Sequence, residues 1–130
     1  MRDAVHALLH AGDSDQASLL ARKHFYLTRE AQGLERTYAT LAHGMALAVL
    51  NPAEAIEPLQ EASFTLAEAD ISDHFVSAQL YLVGARLAVG DQEGAAATVT
   101  RCKERLGELS ETGFRLLAPP EVHARTLQAL

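Results

Sequence analysis

"LAVGDQEGAA", residues 87–96, sets Gly90 beside Asp91 and places Ala95 four positions after the aspartate. "LLHAGDSDQA", residues 8–17, has the same skeleton in Gly12, Asp13 and Ala17. Superposing the two locates a third site midway, "VLNPAEA", residues 49–55, where Leu50-Asn51 replaces Gly-Asp and Ala55 follows. Asp13 and Asn51 stand 38 residues apart, and Asn51 and Asp91 stand 40 apart. A second register runs through Gly44 and Gly84, each 11 residues before its alanine. A near-constant period of this size marks a repeated structural unit, and it decides the fold before any local feature does. Each joint then reads as punctuation. The glycine lets one helix end in a left-handed conformation, and the polar residue after it caps the next helix.

Between the joints the apolar residues recur at three-and-four spacing, the signature of a helix with one buried face. Residues 14–31 carry Ala17, Leu20, Ala21, His24 and Leu27; residues 35–50 carry Tyr38, Leu41, Ala42, Met45 and Val49. Residues 52–69 carry Ala55, Leu59, Ala62, Leu66 and Ala69. Over residues 73–89 two stripes run side by side, Phe75-Ala78-Leu82-Ala85-Val89 and Val76-Leu80-Val83-Leu87, so this helix is expected to be the most buried. Residues 92–110 carry Ala95, Val99, Cys102, Leu106 and Leu109.

The connectors agree. Pro52 suits a first helical position behind Asn51 as N-cap, and Asp13 with Gln16 suits a capping box. Gly33 and Gly113 follow long helices and are expected as C-terminal caps. After the irregular "FRLLAPP" stretch a short capping helix is expected over about residues 120–130. No segment alternates as a strand does. The expectation is an all-α chain: one domain over 1–130, built of antiparallel helix-turn-helix units with junctions near 12–13, 50–52 and 90–91.

Gly44 and Gly84 in first helices, with Ala17, Ala55 and Ala95 early in second helices, resemble tetratricopeptide-type repeats over roughly residues 5–109. The unit is longer than the standard 34 residues, and the usual first-helix Trp and closing Pro are missing. In this it is similar to the long-repeat variant of bacterial transcriptional regulators of the maltose-activator type. The resemblance implies about three units wound into a short right-handed superhelix, with the first helices lining a concave face. The first unit is short, because its first helix has room only for about residues 2–11. That implies a neighbouring segment or subunit over its open face.

Composition narrows the function. There is no Trp and only 5% of residues are aromatic, which suits helices packed through Ala and Leu. The net charge of −6 disfavours direct nucleic-acid binding. The one cysteine, Cys102, cannot form an internal disulfide. The N-terminal stretch lacks the apolar core of a signal peptide and no segment is long enough to span a bilayer, so a cytoplasmic location is expected.

Chemical motifs are sparse. His6 and His10 share a helix face, but no third ligand stands at a metal-binding spacing, and Ala7 occupies the position where a zincin needs Glu. His24 falls on an apolar stripe and reads as a packed histidine. Cys102 lies between Arg101 and Lys103, near Arg105, which would activate an exposed thiol; its place on the buried stripe makes it structural. The acidic residues Glu54, Glu57, Glu61, Glu68 and Asp70 read as solvated faces, and no phosphate-cradling loop or nucleophile elbow is present. The expected reading is therefore a non-enzyme without cofactor or metal.

The implied concave face points to Arg36, Thr40, His43 and Leu47 on one first helix and Ser77 and Tyr81 on the next as a partner-binding groove. Tyr81 is the expected anchor, unless it packs against a neighbouring helix instead. The function expected is binding of a protein partner or of a second copy, with no nucleic acid or membrane contacted directly. The alternative is a small-molecule sensor domain of a transcription or ATPase regulator.

Overall fold

A computed structural model describes residues 2–106 of the chain. Among these the order of elements is α1 (Arg2–His10), α2 (Ser14–Leu27), α3 (Leu34–Leu50), α4 (Pro52–Glu68), α5 (Ser72–Ala88) and α6 (Gln92–Leu106), with no strand. The expected Gly113 cap, the "FRLLAPP" stretch and the helix over 120–130 lie outside the described residues. Each helix packs on the one that follows it; α1 also packs on α3, and α3 on α5.

Local chemistry sets the helix ends. Three turns share one hydrogen-bond pattern, in which the residue with positive φ donates three residues back and the next residue donates five back. Gly12 (φ 81°) donates to Leu9 and Asp13 to Leu8; Gly90 (φ 82°) donates to Leu87 and Asp91 to Arg86. Asp70 (φ 58°) donates to Ala67, and Ile71 to Leu66. This is the Schellman closure, which satisfies the last carbonyls of a helix. The carboxylates that follow the two glycines then cap the next helix. Asp13 accepts from the Gln16 N–H at 3.2 Å, and Asp91 from the Gly94 N–H at 2.9 Å.

The middle joint of the period is built differently. Asn51 is extended (φ −148°), its N–H donates to the Leu47 carbonyl at 2.6 Å, and its side chain caps nothing, although Pro52 does begin α4. The third Schellman turn lies at a joint outside the period, after α4 at Asp70. Gly33 also departs from expectation. Helix α2 stops at Leu27 with Thr28 as C-cap, and Gly33 (φ 71°, ψ −148°) opens α3 in a backbone region open essentially to glycine alone.

The core forms where the stripes predict it. Ala17, Ala55 and Ala95 are all buried, as are Leu41, Met45, Leu59 and Leu66. Residues 75–85 of α5 are buried without interruption. At Gly44 helices α3 and α4 approach so closely that a Cβ would lie 2.8 Å from Cγ of Leu59. The stripe ends are the exceptions: Leu27 is 64% exposed and Val89 44%, because each lies where its helix is ending.

Candidate functional site

The six residues of the expected groove do not share a surface. Helix α3 packs on α1, α2, α4 and α5, so little of its circumference faces water. Thr40 is buried, its hydroxyl donating to the Arg36 carbonyl at 2.9 Å, and Leu47 is half-buried against the core. Ser77 and Tyr81 are buried completely. Tyr81 is among the largest fully buried side chains of the molecule, and its hydroxyl lies 3.1 Å from His6 Nδ1 on α1. Fully buried, with its hydroxyl on His6, it offers no surface to a partner.

Arg36 and His43 belong to a different cluster, organised around Phe25 of α2. The Arg36 guanidinium lies 3.8 Å over the Phe25 ring and donates to the Phe25 carbonyl at 2.8 Å. The His43 imidazole stacks on the same ring, with centroids 4.5 Å apart and planes 20° from parallel. Burial holds the His43 pKa below its ordinary value, and the nearby Arg22 and Arg36 push it the same way against the weaker pull of Glu54. The cluster fixes α2 against α3. Its signal in the sequence was present but distant, since Phe25 stands 11 residues before Arg36 across a turn.

Among the described residues, recesses open at the surface. The first, about 320 Å³, lies where the start of α3 meets α4, lined by Gln32, Gly33, Arg36, Thr37, Thr40, Glu61, Ala62 and Thr65. The hydroxyls of Thr37, Thr40 and Thr65 donate to the carbonyls of Gly33, Arg36 and Glu61, and the Arg36 guanidinium is held on Phe25, leaving the side chains of Gln32 and Glu61 to meet a visitor. The second, about 340 Å³, lies among α4, α5 and α6, lined by Gln60, Ser63, Phe64, Ala67, Phe75, Gln79, Leu82 and Arg101. Gln79 is 2% exposed, and its Oε1 has no hydrogen-bond partner. Sequence reasoning missed this recess because three helices build it and no single stripe reveals it.

Other polar and titratable groups pair or pack among the helices. His6 and His10 meet edge to face with centroids 4.3 Å apart. Among the described residues no group of three or more His, Cys, Asp or Glu is placed to hold a metal ion. The Cys102 thiol is buried, which pushes its pKa up to about 11. Arg86 bridges to Asp91 at 2.9 Å, and Gly94 leaves the room this pair needs, since a Cβ there would collide with both. No described helix is long and apolar enough to cross a membrane. Comparison with known proteins finds no matching family model, curated protein or solved structure.

Proposed function

We propose that this chain is a non-enzymatic protein-interaction module, a short right-handed stack of antiparallel helix pairs of the tetratricopeptide-like type serving a bacterial transcriptional regulator. The supporting observation is the alternation of contacts: α1 packs on α3 and α3 on α5, while each also packs on its own successor. A stack of this kind presents preformed helical surfaces, which bind without the entropic cost of ordering a loop. The burial of Tyr81 moves the binding surface away from the inner helices. Among the described residues, the exposed sides of α2, α4 and α6 and the recesses beside them then face a partner.

Light scattering on the purified chain, together with affinity capture of partners from its own cell extract followed by binding of the purified candidates, tests this. A module of the proposed kind self-associates or binds a purified polypeptide with a measurable Kd; a strict monomer that binds none contradicts it. Thermal-shift screening with metabolites separates the sensor reading, because a ligand of the native state raises the Tm.

A further inference from the structure

Tyr26 on α2 is 62% exposed and Phe64 on α4 is 66% exposed, and each follows the buried alanine of its own helix, Ala17 or Ala55, by nine residues. The two rings thus hold equivalent outward positions in successive helix pairs. Their surroundings carry opposite charge. Exposed Arg22 and Lys23 flank Tyr26 on the same side of α2, and the Arg29 guanidinium lies 4.2 Å over its ring. Exposed Glu57, Glu61 and Glu68 flank Phe64, at the helical spacing that brings them to one side of α4.

Phe64 is also the lip of the second recess, where the Gln79 amide oxygen is buried and unpartnered. A buried acceptor without a donor is unfavourable, and this one lies in a recess of about 340 Å³, with room for an aromatic side chain. A phenol meets both needs. Its ring matches the Phe64 and Phe75 walls, and its hydroxyl both donates and accepts, so it satisfies Gln79 in either amide orientation.

We propose that this recess receives the Tyr26 side chain of a second copy of the chain. The partner's ring lies against Phe64, its hydroxyl bonds the Gln79 amide, and the basic flank of α2 meets the acidic flank of α4. Arg101, the cation on the rim, finds its counterpart in Glu30, four residues beyond Tyr26. Each copy carries one Tyr26 and one recess, and we place the two contacts about a two-fold axis, so that the pairing is reciprocal and closes as a dimer. The inference rests on the interaction-module reading and names its partner.

Light scattering over a concentration series tests it on the full chain. The expected result is a dimer that weakens as salt rises, because the flanking charges are exposed. Tyr26→Glu and Phe64→Lys, both at exposed positions and checked for retained helicity, each give monomers. Mixing the two variants restores a heterodimer, because the Phe64→Lys copy still carries Tyr26 and the Tyr26→Glu copy still carries an intact recess. Tyr26→Phe keeps the ring, loses the hydroxyl at both reciprocal contacts and weakens the dimer by up to about a hundredfold. A dimer indifferent to Tyr26→Glu overturns the inference and leaves the interaction-module reading standing. A wild-type monomer at every concentration also overturns it, and the partner-binding experiment then decides the broader reading alone.

Discussion

The Tyr81 hydroxyl stands 3.1 Å from Nδ1 of His6, tying the fifth helix to the first across 75 residues of chain. This contact makes Tyr81 a core residue and gives the short α1 a polar anchor as well as the apolar contacts of Val5 and Leu9. Tyr81→Phe keeps the ring and removes the hydroxyl. Urea unfolding is expected to show a loss of about 0.5–1.5 kcal/mol, at the low end because His6 is only half-buried and can turn to water. Partner binding stays unchanged; an equal stability with altered binding would return Tyr81 to the surface.

Gly44 is where α3 and α4 come closest, and a Cβ there meets Leu59 Cγ at 2.8 Å and Cδ2 at 2.9 Å, with the Leu59 backbone nitrogen at 3.4 Å. Gly44→Ala gains roughly 1 kcal/mol in helix propensity and loses about 1–3 kcal/mol to overpacking. The net expectation is a chain less stable by about 1 kcal/mol in urea, although alanine is the better helix former. Gly44→Ala combined with Leu59→Ala is expected to relieve the collision but add a cavity penalty, so it stays below the wild type.

The Schellman turns predict an asymmetry. Gly90→Ala places a Cβ in left-handed backbone and is expected to lower stability by about 1–2 kcal/mol. Asp70 already occupies that region without being glycine, so Asp70→Gly relieves the backbone there and is expected to cost less than Gly90→Ala. Thermal melts of the two variants check this, and a Gly90→Ala chain with unchanged Tm would contradict the turn assignment.

Two groups set the acid side of the stability profile. The folded pKa of His43 lies below its ordinary 6.5, so the unfolded chain binds its proton first. Stability is unaffected by this group above 6.5 and falls as pH drops from there toward the folded value. Asp91 is held below its ordinary 3.8 by the Gly94 N–H and then by Arg86, so its contribution persists above 3.8 and is lost at lower pH. His43→Gln is expected to remove the first decline and keep the second, and Asp91→Asn the reverse. Unfolding measured at a series of pH values reads both slopes.

Cys102 sits between two cations in sequence, yet burial raises its pKa to about 11. A thiol-specific disulfide reagent at neutral pH should react with the native chain on the order of 100-fold more slowly than with the urea-unfolded chain. Equal rates would place the thiol at the surface.

Much of the fold was readable along the chain because its determinants are local. Three-and-four spacing marks which face of each helix is apolar, and it located α3 and α4 to within a residue at their shared joint. The Gly-Asp joints were legible because the left-handed turn and the cap each depend on a single residue. The Asp70 turn was missed since aspartate enters that backbone region less often than glycine, and Gly33 was misplaced since a glycine between two helices can serve either one.

The site was not legible in the same way. A stripe tells which side of a helix is buried, but not how many neighbours bury it. Helix α3 has an apolar face and a mixed face, and sequence alone makes the mixed face an outer one; four surrounding helices make it interior. The sequence by itself determined the described helices, the two Gly-Asp joints and the burial of Ala17, Ala55 and Ala95, because these follow from spacing and backbone preference within a few residues. Only the tertiary structure decided that Tyr81 is core and that Gln79 lies at a recess built from α4, α5 and α6. Those outcomes depend on which helices meet, and that is settled by packing between residues far apart in the chain.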